Sequence, residues 1–363
     1  MTRFALKHGF RAFRCWPLLA AGLLLSIALG AHAQELADQT AFKFLQVPDI
    51  GAIGSLSADS DHDIWATGVL ESVALHFDGK RLSRIPMAAG SRISKVAALS
   101  PTNVWAVGQQ TQASLSQIQH FDGRQWTVVP SPHFAHGEVL NSVRAISVNS
   151  VIAVGAAFDQ DGNRTALVEH FNGSTWRAVP VPPIDGGELV DAAIVSPSDI
   201  WVVGFDSTSV LTLHFDGTQW KRIAAPGTGA ALHAVKAVSS NDVWAVGNEV
   251  GAKALTEHWD GTAWTVVDNP SDVNSVLFDL SVISPTDIWA VGCTVTACGD
   301  AGGAPLIEHW DGTQWNSNSA PIELGGEIGL SVLTLPSRQV LIGGFAFGTR
   351  GPVAYLLGGV EGK

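Results

Sequence analysis

An all-β fold, a seven-bladed β-propeller whose last blade is closed by the N-terminal strand, is what three features of the chain predict. A Trp-Ala-Val-Gly segment, or a worn copy of it, occurs seven times: at Trp65, Trp105, Ile152, Trp201, Trp244, Trp289 and Leu341. The spacings are 40, 47, 49, 43, 45 and 52 residues, a period that suits blades of four strands each. Six copies are complete, and a seventh lacks its last strand while a spare strand lies near the other end of the chain.

Within one copy the strands follow from local chemistry. Strand a is a short apolar run such as Val96 to Leu99 or Val143 to Ile146, and a turn like Ser284-Pro285-Thr286-Asp287 follows it. Pro presets the backbone angle of a type I turn, and Asp or Asn bonds to nearby amides. Strand b carries the Trp-Ala-Val-Gly segment. Strand c ends in His-Phe-Asp-Gly or a close variant, where Asp-Gly or Asn-Gly signals a tight hairpin. Strand d opens with Trp126, Trp176, Trp220, Trp264 or Trp315. In the seventh copy Tyr355-Leu356-Leu357-Gly358 stands where the others have His-Phe-Asp-Gly, and no strand d follows. Phe44-Leu45-Gln46-Val47-Pro48 matches Trp126-Thr127-Val128-Val129-Pro130 and has no strands ahead of it. Joining the two closes the ring and removes exposed sheet edges.

The first 33 residues differ in kind. Arg3, Lys7, Arg11 and Arg14 precede the apolar run Cys15 to Leu29, and Ala31-His32-Ala33 is a small-residue cleavage site. Residues 1–33 therefore read as a signal peptide and 34–363 as the propeller, with a secreted or periplasmic location. A retained anchor is the other reading, but the run is short for a span of about 20 residues, and no transmembrane span is expected after cleavage. Cleavage removes four basic residues and leaves 17 Lys plus Arg against 33 Asp plus Glu, a balance of −16. Scattered basic residues in an acidic chain repel phosphate backbones, which argues against nucleic acid as a partner. Cys293 and Cys298 share one loop and, in an exported chain, read as a local disulfide.

The strand b Gly paired with a later aromatic-Asp-Gly-x-x-Trp hairpin resembles the kelch and galactose-oxidase type of propeller repeat. It is more closely similar to the Trp-Ala-Val-Gly and His-Trp-Asp-Gly repeats of uncharacterised exported bacterial proteins. The resemblance spans roughly Phe44 to Gly358, with one Gly rather than two after most strands b and without the kelch Tyr. It implies seven blades and no single activity. A copper-radical oxidase of that kind would need two Tyr at its metal, and a sialidase-like site a Tyr nucleophile with an Arg triad. The chain holds one Tyr, Tyr355, placed by this alignment at the repeat's His position.

Residues that recur once per blade read as structure. This covers Trp65, Trp105, Trp201, Trp244 and Trp289 on strand b, the five strand d Trp, Trp259 and Trp310 on strand c, and His76, His120, His170, His214, His258 and His309 at the ends of strands c. A catalytic or metal-binding His is needed once, so repetition favours packing and hydrogen bonding; sugar stacking by the Trp is the weaker alternative. Phe158, Phe205, Phe345 and Phe347 fall on the Trp side of strand b by even offsets, which assigns them to the core. Outside the repeat, Phe134 stands between His133 and His136 in the loop Ser131 to Asn141 and forms the best local candidate for a site. Asp159 and Asp161, with Asn163, space oxygen ligands as at the start of a calcium loop, but Arg164 occupies the Gly position and no Glu follows, so a plain turn is preferred. No cofactor is called for, and no metal.

Connections alternate between the two ends of a four-stranded meander. The a-to-b and c-to-d turns share one face and are nearly uniform. The b-to-c and d-to-a loops share the other, and the distance from the Trp position to the His position runs 11, 15, 18, 13, 14, 20 and 14 residues. Variable loops on a repeating scaffold are where binding residues tend to lie. The chain thus reads as a monomeric, non-catalytic platform for a protein or cell-surface glycan, met by this second face and above all by the loops Ala156 to Thr165 and Cys293 to Pro305. The alternative is an exported hydrolase or lyase acting on a polysaccharide or small molecule at the central pocket. Charged side chains converging on the axis would favour the enzyme; a flat loop surface would favour the binder.

Overall fold

The computed structural model describes residues 43–47, 50–68, 71–111, 115–251, 253–270, 275–294, 305–318, 328–348 and 351–360. These residues form 28 strands in seven four-stranded antiparallel sheets, with no helix among them. None of their segments is a helix long and apolar enough to cross a membrane. The expected leader, residues 1–33, lies outside the described residues.

Six blades follow one pattern, as in blade three: strand a Glu138–Ser147, b Ser150–Phe158, c Arg164–Phe171 and d Trp176–Val179. The seventh is built from Ile328–Thr334, Gln339–Gly348 and Gly351–Val360, with Lys43–Val47 added as its outer strand. Lys43 lies opposite Gly358 and Val47 opposite Ala354 in an antiparallel ladder. The ring is therefore shut by the N-terminal strand, as the spare copy predicts.

One alignment needs correcting. In six blades the strand b position of Trp or Ile152 pairs with the His of strand c, for example Trp201 with His214. In blade seven Leu341 pairs with Gly358, whereas Tyr355 pairs with Gly344, three residues along. Tyr355 is fully buried and does not stand in for the repeat's His. The strand c hairpin of blade seven has no Asp-Gly turn to fix its register, so matching by tail sequence alone slips.

Strand a begins about five residues before the apolar run that marks it in sequence, and carries a bulge at the same place in every blade. The bulge explains the repeated Gly. A Cβ on Gly247 would sit 1.9 Å from the Ala231 carbonyl oxygen, and one on Gly292 would sit 1.8 Å from that of Val276. Only a residue without a side chain lets the bulged strand approach so closely. The Asp-Gly loops likewise require their Gly: Gly123 has φ 90° and Gly261 φ 94°, and Asp260 Oδ1 accepts from the Thr262 and Ala263 amides at 2.8 and 3.0 Å.

Blades meet through aromatic clusters. Each strand b Trp stacks on the His beside it, at ring distances of 4.1 Å for Trp65–His76 and 4.3 Å for Trp244–His258. Trp65, Trp105, Trp201 and Trp244 also tilt against the next blade's strand c aromatic, as in Trp201–Trp259 at 4.9 Å, and meet that blade's strand d Trp edge-on, as in Trp201–Trp264 at 5.4 Å. Each His bonds across to the residue two before the Trp position: His214 to Asp199 at 2.8 Å, His309 to Asp287 at 2.9 Å, His120 to Asn103 at 3.0 Å and His170 to Ser150 at 2.8 Å. Phe158, Phe205 and Phe345 differ from expectation. They are half-buried rather than core, although each is still paired in its ladder, Phe158 with Arg164, Phe205 with Glu188 and Val210, and Phe345 with Ile328 and Ala354; the side chain of Phe347 lies outside the described residues.

Candidate functional site

Strands a line the axis. The residues just after their bulges are Ser55, Lys95, Ser142, Asp191, Ala234, Asp279 and Ser331. Several reach across to the next blade's backbone. The Val96 amide donates to Ser55 Oγ and the Leu56 amide to Ser331 Oγ, each at 3.1 Å, while the Val235 amide donates to Asp191 Oδ2 at 3.2 Å. The Leu56–Ser331 bond links the first blade to the last.

Five charges from five successive blades converge there. Arg144 Nη2 donates to both oxygens of Asp191, at 2.7 and 3.0 Å, and its Nε donates to the Ala192 carbonyl at 2.8 Å. Lys236 Nζ lies 3.4 Å from Asp191 Oδ2 and 3.6 Å from Asp279 Oδ1, and Lys95 Nζ lies 3.5 Å from Asp279 Oδ2. Ser142 and Ser331 hydroxyls donate to Asp191 and Asp279 at 2.6 and 2.8 Å. Burial would raise the Asp191 carboxyl, but Arg144, Lys236 and Lys95 hold it well below the usual carboxylate range. Asp279 is held low against burial in the same way, by Lys95 and Lys236. Burial, with Arg144 and Lys95 alongside, pulls Lys236 below the ordinary lysine value against the attraction of Asp191 and Asp279. Carboxylates so committed are poor bases. Lys236, with 28% of its side chain exposed, is the most open of the five.

Sequence reading missed this cluster. Its signal was the aligned position itself, Leu189-Val190-Asp191 beside Leu277-Phe278-Asp279, which only the bulge register brings into line.

On the b-to-c and d-to-a face the structure brings most of the sequence candidates together. His133 Nδ1 lies 2.9 Å from Glu138 Oε1, and the Phe134 amide donates to Glu138 Oε2 at 3.0 Å. The Ser116 amide and hydroxyl also donate to Glu138, at 3.0 and 2.9 Å. These bonds outweigh burial and lower the Glu138 pKa. Phe134 is half-buried and packs against the core between blades two and three. His136 is exposed and its charge reaches Asp159, whose pKa is lowered chiefly by hydrogen bonds from Asn163. The Asp161 and Asn163 amides both donate to Asp159 Oδ1 at 2.9 Å, so that carboxylate closes its own turn. Among the described residues no group of three or more His, Cys, Asp or Glu is arranged to hold a metal.

The same face continues into blade four. Arg164 Nε lies 2.8 Å from Glu188 Oε2, and the guanidinium carbon lies 5.8 Å from the Phe205 ring centroid. Asn141 Nδ2 donates to Glu188 Oε1 at 3.0 Å. His133, His136, Asp159, Arg164 and the half-buried Phe205 thus border one surface across three blades. Of the long sixth-blade loop, residues 295–304 and with them Cys298 lie outside the described residues; Cys293 is buried one residue before the end of strand b at Thr294.

Beneath this face sits a carboxyl that the repeat does not satisfy. Strand c places Gln119, Glu169, Glu257 or Glu308 just before its His, fully or nearly buried. Three of them hold the preceding d-to-a loop: Gln119 accepts from the Ala88 amide and Glu257 from the Gly227 amide, each at 3.0 Å, and Glu308 from the Asn269 side chain. In blade three Glu138 has taken that task, and neither oxygen of Glu169 has a hydrogen-bond partner among the described residues. Burial, then the neighbouring Glu138 charge, pushes Glu169 up to about 8.

No family model and no curated protein matches this chain. Solved structures do. A structure of YCF48 bound to a D1 peptide is similar over 89% of this chain and 96% of its own, with a TM-score of 0.61 at 18% identity. The WD40 propeller domain of Doa1 matches 88% of this chain and 97% of its own, with a TM-score of 0.60 at 13% identity. A catalytically inactive virginiamycin B lyase from Staphylococcus aureus, with quinupristin, matches 88% of this chain and 99% of its own, with a TM-score of 0.60 at 10% identity. At these identities the likeness is one of fold: the chain is a β-propeller, and its neighbours include both a protein bound to a peptide and a lyase.

Proposed function

We propose that this chain is an exported propeller that acts as a rigid binding platform and meets its partner, a protein segment or a cell-surface glycan, on the b-to-c and d-to-a face. The observation that carries the reading is the contiguous surface of His133, His136, Asp159, Arg164 and Phe205, drawn from the loops that differ between blades. A cation near an aromatic ring, beside imidazole and carboxylate, suits a polar chain with ring or sugar faces. The scaffold beneath is rigid, so little ordering cost falls on binding. A local disulfide between Cys293 and Cys298 would pin the sixth-blade loop on the same face. The peptide-bound neighbour supports a peptide ligand, by analogy of fold only.

The test is a pair of arrays, peptide and glycan, probed with the mature protein and with a variant whose loops Ala156 to Thr165 and Cys293 to Pro305 are replaced by short Gly-Ser turns. The expected result is array binding that disappears in the variant while the melting temperature holds. Unchanged binding in the variant contradicts the assignment.

Lys236 favours one second reading. Charged side chains converge on the axis, the feature that by the sequence criterion favours an enzyme, and an amine with a lowered pKa among them is what a lyase or hydrolase would use. That reading requires turnover of a saccharide or cyclic ester panel that Lys236→Met abolishes.

A further inference from the structure

Blade three breaks the aromatic pattern at one point. Its strand b carries Ile152 where five other blades carry Trp, and Ile152 faces blade four. The groups that receive a Trp at this place are nevertheless all kept. His170 stands beside Ile152 in the ladder, and blade four supplies Phe215 and Trp220. Phe215 and Trp220 lie 5.3 Å apart at 40°. The corresponding pair of blade three, Phe171 and Trp176, lies 5.6 Å apart at 39° with Trp105 against it. The receiving pair thus holds its geometry without its guest.

The space left over is a cavity of about 200 Å³, lined by Ile152, His170, Phe215 and Trp220 with Ser150 at its polar end. An apolar cavity of about 150 Å³ is enough to stay dry and take up benzene. It does not close on itself: a second cavity of about 390 Å³ shares Val179, Phe215 and Trp220 with it and runs along Pro180, Val181 and Pro182 to Gln219. Pro180 and Gln219 are exposed, so the channel reaches solvent. Where blades seven and one meet, Leu341 also replaces Trp, but there strand d opens with Leu82 instead of a Trp and the aliphatic cluster fills the space. Only between blades three and four, among the described residues, is the aromatic receptor kept and the strand b Trp lost.

We propose that this cavity is a binding site for an indole-sized aromatic ring, which takes the place of the missing Trp, stacks on His170, meets Trp220 by its edge and sets its polar atom toward Ser150 Oγ. The template is internal. In blades one, five and six the side chain two residues before the Trp accepts the indole N–H, at 2.8 to 3.1 Å, and Ser150 occupies that position here. The site opens at the outer edge of blades three and four, between the a-to-b and c-to-d turns and the start of the d-to-a loop at Pro180, and its lining shares no residue with the partner surface of His133, His136, Asp159, Arg164 and Phe205.

Indole itself is the probe, titrated calorimetrically into the whole mature protein, with cyclohexanol as an aliphatic ring of similar bulk. One indole binds per chain, cyclohexanol binds at least about tenfold more weakly, and Ile152→Trp raises the melting temperature while removing indole binding. Ile152→Phe, a smaller filling, weakens indole without needing the full indole to fit. A second titration with N-acetyltryptophanamide separates the sources of the ring: binding as tight as indole's assigns a tryptophan side chain entering along Pro180 to Pro182, and binding of indole alone assigns a free aromatic compound. No heat with indole on the unmodified protein, equal binding of cyclohexanol, or indole binding unchanged in both fillings overturns the proposal.

Discussion

Single residues in this chain are set by how tightly blades approach one another, and Glu169 shows the consequence. It is protonated in the folded chain up to about pH 8, whereas the unfolded group ionises near 4.5. Because the folded value is raised, the stability this group contributes is complete below 4.5 and is lost as pH climbs toward 8, at up to about 1.4 kcal/mol per pH unit. Glu169→Gln keeps the shape and removes the titration. Denaturant midpoints at pH 5 and pH 8 should lie closer together in the variant than in the parent, with the residual slope owed to Glu257, which is raised to about 7. Equal slopes in the two proteins would show that Glu169 ionises freely in the fold. Burial also acts on two of the recurrent His: it pulls His120 and His170 below the ordinary value, which suits neutral donors and acceptors in a hydrogen-bond frame.

At the scale of elements, the closing strand Lys43–Val47 carries a disproportionate role, because without it Gly351–Val360 becomes an exposed edge. A chain beginning at Ile50 should elute as aggregates and melt below the parent; a monomer of unchanged melting temperature would contradict the pairing. Strands b, c and d were legible in the sequence because each repeats a residue that its position demands: Trp for the blade interface, Gly for the bulge contact, Asp-Gly for the hairpin. The spare strand was legible for the same reason. Strand a was only half legible, since its bulge and axial residue change identity from blade to blade, from Ser55 to Lys95 to Asp191 to Ala234. Blade seven misled because Tyr355 looks like a substitute for His until the register places it opposite Gly344. Ile152 read as an ordinary worn copy; what it leaves empty is visible only with Phe215 and Trp220 beside it. Of the candidate loop, the approach of His136 to Asp159 depends on two loops meeting in space, and the packing of Phe134 on the core between blades two and three is visible only once those blades are assembled.

The whole molecule is a ring of seven blades tied at its centre by charge. Lys95, Arg144, Asp191, Lys236 and Asp279 come from blades two to six, and losing Asp191, Lys236 or Asp279 strands two partners at once. Asp191→Ala leaves Arg144 and Lys236 short of a counter-charge and should cost about 3 to 5 kcal/mol, whereas the paired change Arg144→Met with Asp191→Leu should recover most of it. Chemical denaturation of the three proteins checks this. Asp191 is depressed in the fold, so its contribution is present above the ordinary carboxylate value of 3.8 and is lost as pH falls through its lower folded value; the parent should therefore hold its axis through mild acid. A centre bound this firmly leaves recognition to the rim, and the rim is where the functional account stands or falls. Hydrogen–deuterium exchange of the mature protein, with and without the peptide or glycan that the arrays select, tests it most directly. Protection should concentrate in residues 133–141 and 156–165, with the opposite turns unchanged. Protection confined to the Asp-Gly turns, such as 260–263 and 311–314, would place the partner on the other face and contradict the account.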